Sequence, residues 1–376
     1  MDTKEFRRQM HRCPELSFEE HQTSRFISDS LSELGIEFRN IAGTGILARV
    51  EGRRGNLKRC VVLRADIDAV PIQELTSVEW ASEREGVMHA CGHDGHVSVG
   101  LAVAKLLAAH KEELVGKVKL IFQPAEEGVR GAYAMINAGV ADDIDYFFGG
   151  HIAFKATTDD SLVCLTDGFL ATTKLDAVYK GVSAHAGLAP QDGKNALLAA
   201  AQASISLHSI SRHGKGASRI NVGVLNAGTG RNVLPDIAVL KMETRGATTE
   251  INEFMVGEAK RMLQAAADLY DVSVTITKAG SAPACVADFE LGKEVAEIAK
   301  ASGQYNEIID YMDMGGSEDC AYFMERVQQN GGRALYMMYG ATIAAGHHNS
   351  HFDFNEACLW KAAGLLTTLA VAYTHK

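Results

Sequence analysis

The sequence predicts an α/β protein of two domains, in which a mostly parallel α/β domain contains a smaller inserted domain. A chain of 376 residues is long enough for two hydrophobic cores. Strands alternate with helices towards both ends of the chain, which is typical of a parallel sheet covered on both faces. Between them the order is β-α-β-β-α-β, that of a ferredoxin-like domain. We therefore expect the α/β domain at residues 1–171 and 285–376 and the inserted domain at 172–284.

The α/β elements are predicted from hydrophobic spacing and from turn residues. Two helices separated by Pro14 open the chain, and Gly35 ends the second one. Short apolar runs predict strands at 45–50, 60–65, 118–122 and 144–149, with helices at 97–110 and 131–138. After the inserted domain, we expect helices from Phe289, from Ser317 and at 356–373, and strands near Glu307 and at 334–339.

The inserted domain is predicted in the same way. Alternating apolar residues predict strands at 173–181, 219–226, 237–245 and 272–277. Helical spacing predicts helices at 193–210 and 250–270. Gly228 and Gly230 mark the turn between the two middle strands.

The composition excludes several functional classes. The chain is 47% apolar and 22% charged, as in ordinary globular proteins. Its net charge of −10 argues against a nucleic-acid partner, because phosphate contacts need clustered basic charge. We expect no membrane span and no signal peptide, since the apolar runs are short and interrupted and the N-terminus has no apolar segment. Seven cysteines without a CxxC pair argue against a disulfide framework and predict a cytoplasmic protein.

A string from His89 to His96 holds four candidate metal ligands. Cysteine thiolates and histidine imidazoles are ordinary ligands of zinc and similar metals. Cys91 and His93 are two residues apart, so in an extended backbone they would point to the same side. The alternative is a buried cysteine among surface histidines.

Two adjacent carboxylates, Glu126 and Glu127, follow the predicted strand 118–122. Neighbouring carboxylates repel each other unless a cation or a proton lies between them. One can therefore bind a metal while the other accepts a proton from the attacking water. A solvated acidic turn is the alternative.

Other candidate ligands lie at the ends of predicted strands or just before the final helix. His151 comes directly after an apolar strand, and three histidines at 347, 348 and 351 precede the final helix. Asp66 and Asp68 also end a strand. Because open α/β sheets bind ligands beyond the carboxyl ends of their strands, we expect one site to collect these residues.

With these motifs the chain resembles the two-metal amidohydrolases of metallopeptidase family 20, subfamily D, a group that includes aminoacylases and auxin-conjugate hydrolases. The matching strings span essentially the whole chain: 12–16, 64–71, 91–96, 123–128, 151–152, 183–186, 232–235 and 348–352. Within the subfamily, the strings 228–233, 243–247, 317–319 and 346–349 are most similar to the A-subunit type of p-aminobenzoyl-glutamate hydrolases.

The resemblance implies a site for two divalent metal ions, zinc or manganese. Its implied ligands are Cys91, His93, Glu127, His151 and His348. The Cys91 thiolate would bridge the two ions, Glu126 would be the general base, and Asp68 would orient a ligand. His347 and His351 stay as alternatives to His348.

In the inserted domain the resemblance implies substrate contacts. His185 would donate a hydrogen bond to the developing oxyanion. Asn232 and Arg245 would hold the α-carboxylate of the substrate. Arg231 is either a ligand of a second carboxylate or a surface charge. The string 317–319 is expected to cap the helix that follows it, and a role near the substrate is the alternative.

The implied function is hydrolysis of the amide bond of an N-acyl or N-aroyl amino acid, with substrates like p-aminobenzoyl-glutamate. A general N-acyl-amino-acid hydrolase and a small dipeptidase are alternatives. A non-catalytic metal-binding member of a hydrolase pair is another, although it would be expected to lack Glu126 or a ligand. A cysteine hydrolase is disfavoured because metal would occupy the Cys91 thiolate. The partners expected are a small-molecule substrate and a second copy of the chain, or a related second subunit.

Overall fold

The computed structural model describes residues 2–52, 59–112, 114–156 and 158–375. These residues form two compact units. The α/β unit comprises the residues up to Asp167, Val286–Met314 and the residues from Glu318 on. The inserted unit comprises Gly168–Cys285 together with Gly315–Ser317.

The helices and strands of the α/β unit lie on both sides of the insertion. The helices are α1 Thr3–Arg12, α2 His21–Glu33, α3 His93–Ala109, α4 Gly131–Asn137, α7 Phe289–Ser302, α8 Ala321–Gln329 and α9 Ala357–Thr374. The strands are β1 Glu37–Ile41, β2 Gly45–Glu51, β3 Cys60–Asp66, β4 Lys117–Gln123, β5 Tyr146–Ile152, β6 Ser161–Val163, β7 Thr166–Asp167, β12 Glu307–Ile309, β13 Met312–Asp313 and β14 Arg333–Tyr339.

The inserted unit contains two α-helices, a short 3-10 helix at Pro190–Asp192 and four strands among its described residues. Its strands are β8 Ala171–Lys180, β9 Ser218–Ala227, β10 Ile237–Gly246 and β11 Ser273–Ala282. Its helices are α5 Ala196–His208 and α6 Thr249–Leu269.

An eight-stranded sheet forms the centre of the α/β unit, in the order β1-β2-β4-β3-β5-β14-β6-β12. The four central strands β4, β3, β5 and β14 are parallel to one another. All residues of β3 and β5 are buried, so both faces of the sheet are covered. The predicted fold class is therefore confirmed.

The last helix, α9, belongs to the core of this unit. By length and composition it is apolar enough to cross a bilayer, but 56% of it is buried inside the fold. It packs on α3 and on β3, and its residues Leu359 and Leu369 are completely buried. A core helix meets the same criteria of length and composition.

A four-stranded antiparallel sheet forms the inserted unit, in the order β11-β8-β10-β9. Helices α5 and α6 pack on one face, where the core includes Tyr179, Leu240, Met255 and Leu263. This arrangement is the ferredoxin-like one predicted from the order of the elements.

Two predicted helix starts were wrong. Helix α3 begins at His93 rather than near Val97, directly after Gly92, which has a left-handed φ of 90°. Helix α8 begins at Ala321 without a side-chain cap, so the string 317–319 does not cap it as predicted. The carboxylate of Asp319 is engaged elsewhere, as described below.

Candidate active site

Cys91 and His93 come together through a turn and not through a strand, which corrects the extended backbone expected from the sequence. Gly92 separates them in a left-handed conformation that residues with a Cβ rarely adopt, and His93 then opens α3. As a result, the thiol of Cys91, a ring nitrogen of His93 and a carboxylate oxygen of Glu127 lie within 4.8 Å of one another.

His93 is oriented so that one ring nitrogen is available to a metal. Its Nδ1–H donates a hydrogen bond of 2.9 Å to the carbonyl oxygen of Asp68. Its Nε2 is buried and has no hydrogen-bond partner among the described residues. A buried nitrogen without a partner is costly, and metal-ligating histidines commonly donate their other nitrogen in this way. The site therefore fits a cation.

His151 shows the same arrangement. It lies inside β5, near its carboxyl end, rather than after the strand as predicted. Its Nδ1–H donates to the carbonyl oxygen of Ile152 at 2.9 Å, and its Nε2 lies 3.4 Å from the thiol of Cys91. Cys91 thus belongs to two groups of candidate ligands, one with His93 and Glu127 and one with His151 and His347. A thiolate in this position can contact two cations.

The three C-terminal histidines have different surroundings. His348 adopts a left-handed φ of 60°, and its Nε2 lies 3.1 Å from Oε1 of Glu127. His347 donates through Nε2 to the carbonyl oxygen of Ile152 at 3.2 Å. His351 contacts Ser350 instead. The structure therefore brings His348 to Glu127 and His347 to His151. Of the three, His347 belongs to a group of candidate ligands found among the described residues, whereas His348 and His351 belong to none of these groups.

Asp68 holds the loop that carries the two glutamates. Its two carboxylate oxygens accept hydrogen bonds of 3.1 Å from the backbone N–H groups of Glu126 and Glu127. Ser17 donates a further bond of 2.7 Å. Burial alone would raise the pKa of Asp68, but the hydrogen bonds from His93 and Ser17 outweigh it and lower the pKa. Asp68 is therefore ionised and fixes the loop.

Glu126 points to a different set of neighbours from Glu127. Its carboxylate lies within 4.8 Å of the carboxylates of Glu318 and Asp319, and only 12% of its side chain is exposed. Burial, together with the negative charges of Glu318, Glu127 and Asp319, raises the pKa of Glu126 well above its ordinary value. A carboxylate with a raised pKa is a stronger general base than an ordinary one.

Sequence reasoning missed the role of His96, which it counted only as a candidate ligand. Its Nδ1–H donates to Asp66, and its Nε2 accepts a hydrogen bond of 2.9 Å from the N–H of Ile152. Neither nitrogen keeps a lone pair for a metal. His96 therefore orients the end of β5, next to His151.

A buried network around Arg64 was also missed. Arg64 bonds to Asp66 at 2.6 Å and to Glu318 at 3.0 Å, and Tyr336 donates to Glu318 at 2.8 Å. Asp319 accepts from the side-chain amide of Gln123 at 2.7 Å. The strings 64–71, 123–128 and 317–319 contain members of this network, but they do not predict the contacts between them, and the residue types of 317–319 predict a helix cap instead.

The predicted substrate residues of the inserted unit fall into two places. His185 forms a β-bridge with Val233, and the carbonyl oxygen of Asn232 accepts a hydrogen bond from the N–H of Ala186 at 2.9 Å. Arg231 precedes Asn232 in the same loop. Nδ1 of His185 accepts from the N–H groups of Gly187 and Leu188, each at 3.2 Å, so the ring proton lies on the exposed Nε2.

Arg245 lies at the opposite end of the same sheet. Its Nε donates to Glu243 at 2.9 Å. The loop with Arg231 follows the end of β9, where Ala227 pairs with Ala238. The strand from Ala238 to Arg245 spans roughly 23 Å at about 3.3 Å per residue. Within one chain, a length of sheet of roughly 23 Å therefore separates the backbone of Arg245 from the loop that follows β9.

Comparison with known proteins agrees with this geometry. A family model described as peptidase family M20/M25/M40 matches residues 62–372. A protein of Escherichia coli (strain K12) named as one subunit of p-aminobenzoyl-glutamate hydrolase is 45% identical over 343 residues, which cover 88% of this chain and 77% of that protein. The indole-3-acetyl-aspartic acid hydrolase of Enterobacter agglomerans is 45% identical over 339 residues, with the same coverage of 88% and 77%.

The chain belongs to the peptidase family M20/M25/M40. The resemblance predicted from the sequence is thereby confirmed, and so is the prediction of a metal-dependent amidohydrolase. A solved structure of the YXEP protein of Bacillus subtilis, described as a dinuclear metal-binding peptidase of the M20 family, matches with a TM-score of 0.75 and 28% identity. The match covers 99% of this chain and 98% of that protein. Two divalent metal ions therefore accord with both the family and the ligand groups of this chain.

Proposed function

We propose that this M20 enzyme hydrolyses the amide bond between an acyl or aroyl group and an acidic amino acid, with p-aminobenzoyl-glutamate as a representative substrate. The observation that carries the proposal is the difference between the surroundings of Glu126 and Glu127 in the loop after β4. There Glu127 joins Cys91 and His93 as a candidate ligand, whereas Glu126 faces Glu318 and Asp319. The acidic amino acid is supported by the two relatives, whose names specify conjugates of glutamate and of aspartate.

The cations would be held by Cys91, His93, Glu127, His151 and His348, and Cys91 belongs to two of the groups of candidate ligands. A thiolate, imidazoles and a carboxylate suit zinc, and manganese competes according to its supply. When bound, the cations polarise the scissile carbonyl and lower the pKa of the attacking water. His347 is the alternative to His348, because its ring lies near Cys91 and His151.

The remaining chemistry is assigned to the protein's own groups. Glu126 accepts a proton from the attacking water and delivers it to the nitrogen of the leaving amino acid. Asp68 keeps this carboxylate in place through the backbone of the loop. The exposed Nε2–H of His185 is a donor for the oxyanion of the tetrahedral intermediate. Arg245 and Asn232 hold the α-carboxylate.

The separation of Arg245 from the His185 loop supports a dimer with shared sites. We assign Arg245 to the site of its own chain, and His185 and Asn232 to the site of the other chain. The inserted unit then acts as lid and dimerisation domain. A homodimer is the proposed assembly. A pair with a related second chain is the alternative, since the relative from Escherichia coli is named as one subunit of its hydrolase.

A reducing compartment such as the cytoplasm is part of the proposal. All seven cysteines lie among the described residues, and none of them forms a disulfide there. Six of the seven are buried. Thiols of this kind persist where glutathione keeps them reduced.

The proposal is tested by metal reconstitution and a substrate panel. The enzyme is stripped with a chelator, reloaded with zinc or manganese, and assayed on the 4-aminobenzoyl amides of glutamate, aspartate and glycine. We expect hydrolysis only after metal is restored, at about two equivalents of metal per chain by mass spectrometry. Glutamate and aspartate substrates should give higher kcat/KM values than the glycine substrate.

Two results would contradict the proposal. Activity that survives chelation and is lost on alkylation of cysteine would indicate a thiol nucleophile. No hydrolysis of any amide by the reloaded enzyme would indicate a non-catalytic metal-binding protein. Glu126→Gln serves as the control for contaminating hydrolases, because it should retain metal and lose activity.

A further inference from the structure

Two arginines lie side by side on the face of the inserted sheet that carries no helix. Arg219 on β9 is the direct register partner of Arg245 on β10. The neighbouring pair, Ile220 and Thr244, is buried on the helix side, where Thr244 bonds to Asn252 of α6. Because side chains alternate along a strand, Arg219 and Arg245 both point to the other face.

This pair is electrostatically unfavourable as it stands. Directly opposed side chains in an antiparallel sheet have Cβ atoms about 4.5–5.5 Å apart, and like charges in this arrangement destabilise the sheet. Glu243 bonds to Arg245 and compensates its charge. Arg219 is exposed, and no hydrogen bond or ion pair to its guanidinium is found within residues 2–52, 59–112, 114–156 and 158–375. The guanidinium of Arg219 is therefore available to bind an anion.

The pair lies at the end of the sheet where the chain enters and leaves the inserted unit. Thr172, next to the start of β8, is the other register partner of Arg245, and it also pairs with Ala282 at the end of β11. Arg231, for which the sequence left a second carboxylate and a surface position as alternatives, lies beyond the opposite end of β9. Within the inserted sheet, Arg219 is thus placed to share a small ligand with Arg245.

We propose that Arg219 binds the side-chain carboxylate of an acidic amino acid whose α-carboxylate is held by Arg245. This inference rests on the proposed function and adds to it a residue that selects the amino acid. The two carboxylates of glutamate or aspartate are joined by a short alkyl chain, which matches the spacing of two opposed side chains on neighbouring strands. Each guanidinium presents a planar fork that fits one carboxylate. Binding then removes the repulsion between the two arginines.

The test compares substrates that differ only in the side-chain charge. The holoenzyme and its Arg219→Gln variant are assayed on the 4-aminobenzoyl amides of L-glutamate and L-glutamine, which are nearly equal in size. For Arg219→Gln we expect kcat/KM on the glutamate substrate to fall by about 10- to 100-fold, as for the loss of a charge-assisted contact. On the glutamine substrate the change should stay below about threefold. Arg219→Lys should retain part of the preference for glutamate.

Matched variants separate a specific contact from a general effect of charge. Lys241→Gln removes a cation from the same strand as Arg245, four residues away, and should leave the ratio of glutamate to glutamine rates unchanged. Equal losses on both substrates in Arg219→Gln would overturn the inference, and so would a loss of preference in Arg231→Gln instead. A wild-type enzyme without preference for glutamate over glutamine would also overturn it. A wild-type enzyme that hydrolyses neither amide would refute the proposed function itself.

Discussion

The carboxylate of Asp319 accepts a hydrogen bond of 2.7 Å from the side-chain amide of Gln123. Its second oxygen accepts a bond of 3.0 Å from the backbone N–H of Ala132. Gln123 ends β4 and Ala132 lies in the first turn of α4, so Asp319 fastens both ends of the loop that carries Glu126 and Glu127. The loop also contains two non-glycine residues with left-handed φ values, Ala125 at 52° and Val129 at 50°. Such a backbone persists only where surrounding contacts hold it.

Asp319→Ala should therefore destabilise the protein and lower its activity. It leaves two buried donors without an acceptor, and each costs about 1–3 kcal/mol. We expect the free energy of unfolding to fall by about 2–6 kcal/mol and kcat to fall with it. Asp319→Asn retains one carbonyl acceptor and should lose about half as much. Urea unfolding of both variants checks this order. Alanine and asparagine variants that are as stable as the wild type would show that the two hydrogen bonds contribute little.

Glu126→Gln and Glu127→Gln form a matched pair of adjacent substitutions. Glu126→Gln should retain the full metal content and lower kcat by roughly 10²–10⁴, as for the loss of a general base. Glu127→Gln should lose metal, because its carboxylate is the proposed ligand beside Cys91 and His93. Metal analysis of the purified variants together with steady-state kinetics distinguishes the two roles. If Glu126→Gln lost its metal together with its activity, the assignment of Glu126 as the base and Glu127 as the ligand would be contradicted.

Most of the fold and many of the site residues follow from local sequence. The parallel strands are apolar runs ended by chemically distinctive residues, and strand ends gather at one edge of a sheet. The geometry between Cys91 and His93 could not be predicted in this way, since it depends on the left-handed backbone of Gly92. The role of His96 depends on which of its nitrogens is already bonded, which spacing does not reveal.

Contacts between residues that are distant in sequence could not be predicted either. Asp319 and Gln123 are 196 residues apart in sequence, and no local pattern links them. The residue types of the string 317–319 suit a helix cap. In the structure, however, the carboxylate of Glu318 bonds to Arg64, and that of Asp319 accepts from the backbone N–H of Ala132. Contacts with residues distant in sequence therefore determine where these carboxylates lie, because a buried carboxylate needs hydrogen-bond donors.

Stability should depend on pH through His11. Burial lowers the pKa of His11, but hydrogen bonds to Asp94 and Glu74 outweigh this effect and raise the pKa from 6.5 to about 9. The charge of Arg7 also lowers this pKa, and the centroid of the His89 ring lies 6.4 Å from that of His11. Because the pKa is higher in the folded state, the contribution of His11 is fully present below about pH 6.5. It is lost as the pH rises through about 9.

The contribution of His11 to the free energy of unfolding is expected to reach about 3 kcal/mol, at 1.36 kcal/mol per pKa unit. Urea unfolding of the wild type and of His11→Gln at pH 6, 7.5 and 9 measures it. The wild type should lose its advantage over the variant between pH 6.5 and 9. A constant difference between the two proteins over this range would show that the pKa of His11 is not raised by folding.

Arg245→Gln should raise KM selectively. The guanidinium is held by Glu243 in the structure, at 2.9 Å from Nε, and is proposed to receive the α-carboxylate of the substrate. For 4-aminobenzoyl-glutamate we expect KM to rise by roughly 10- to 100-fold. The matching amide without an α-carboxylate should change far less. Equal changes on the two substrates would assign Arg245 a structural role in β10.

His185 and Glu126 provide the test of shared sites. The exposed Nε2–H of His185 lies in the loop at the opposite end of the inserted sheet from Arg245. If His185 serves the site of the other chain, His185→Ala and Glu126→Gln homodimers should both be inactive. A mixed dimer should contain one site with an intact Glu126 and an intact His185 from the partner. Exchange of chains between the two variants should thus restore activity.

The recovered activity has an expected upper limit. Random exchange of equal amounts makes half of the dimers mixed, and each mixed dimer has one complete site. About a quarter of the wild-type activity is then expected, provided that the sites act independently. Native mass spectrometry establishes the homodimer and verifies the exchange before the assay. A verified mixed dimer without activity would show that His185 acts on the site of its own chain or has no catalytic role, whereas recovery shows that each site draws on both chains.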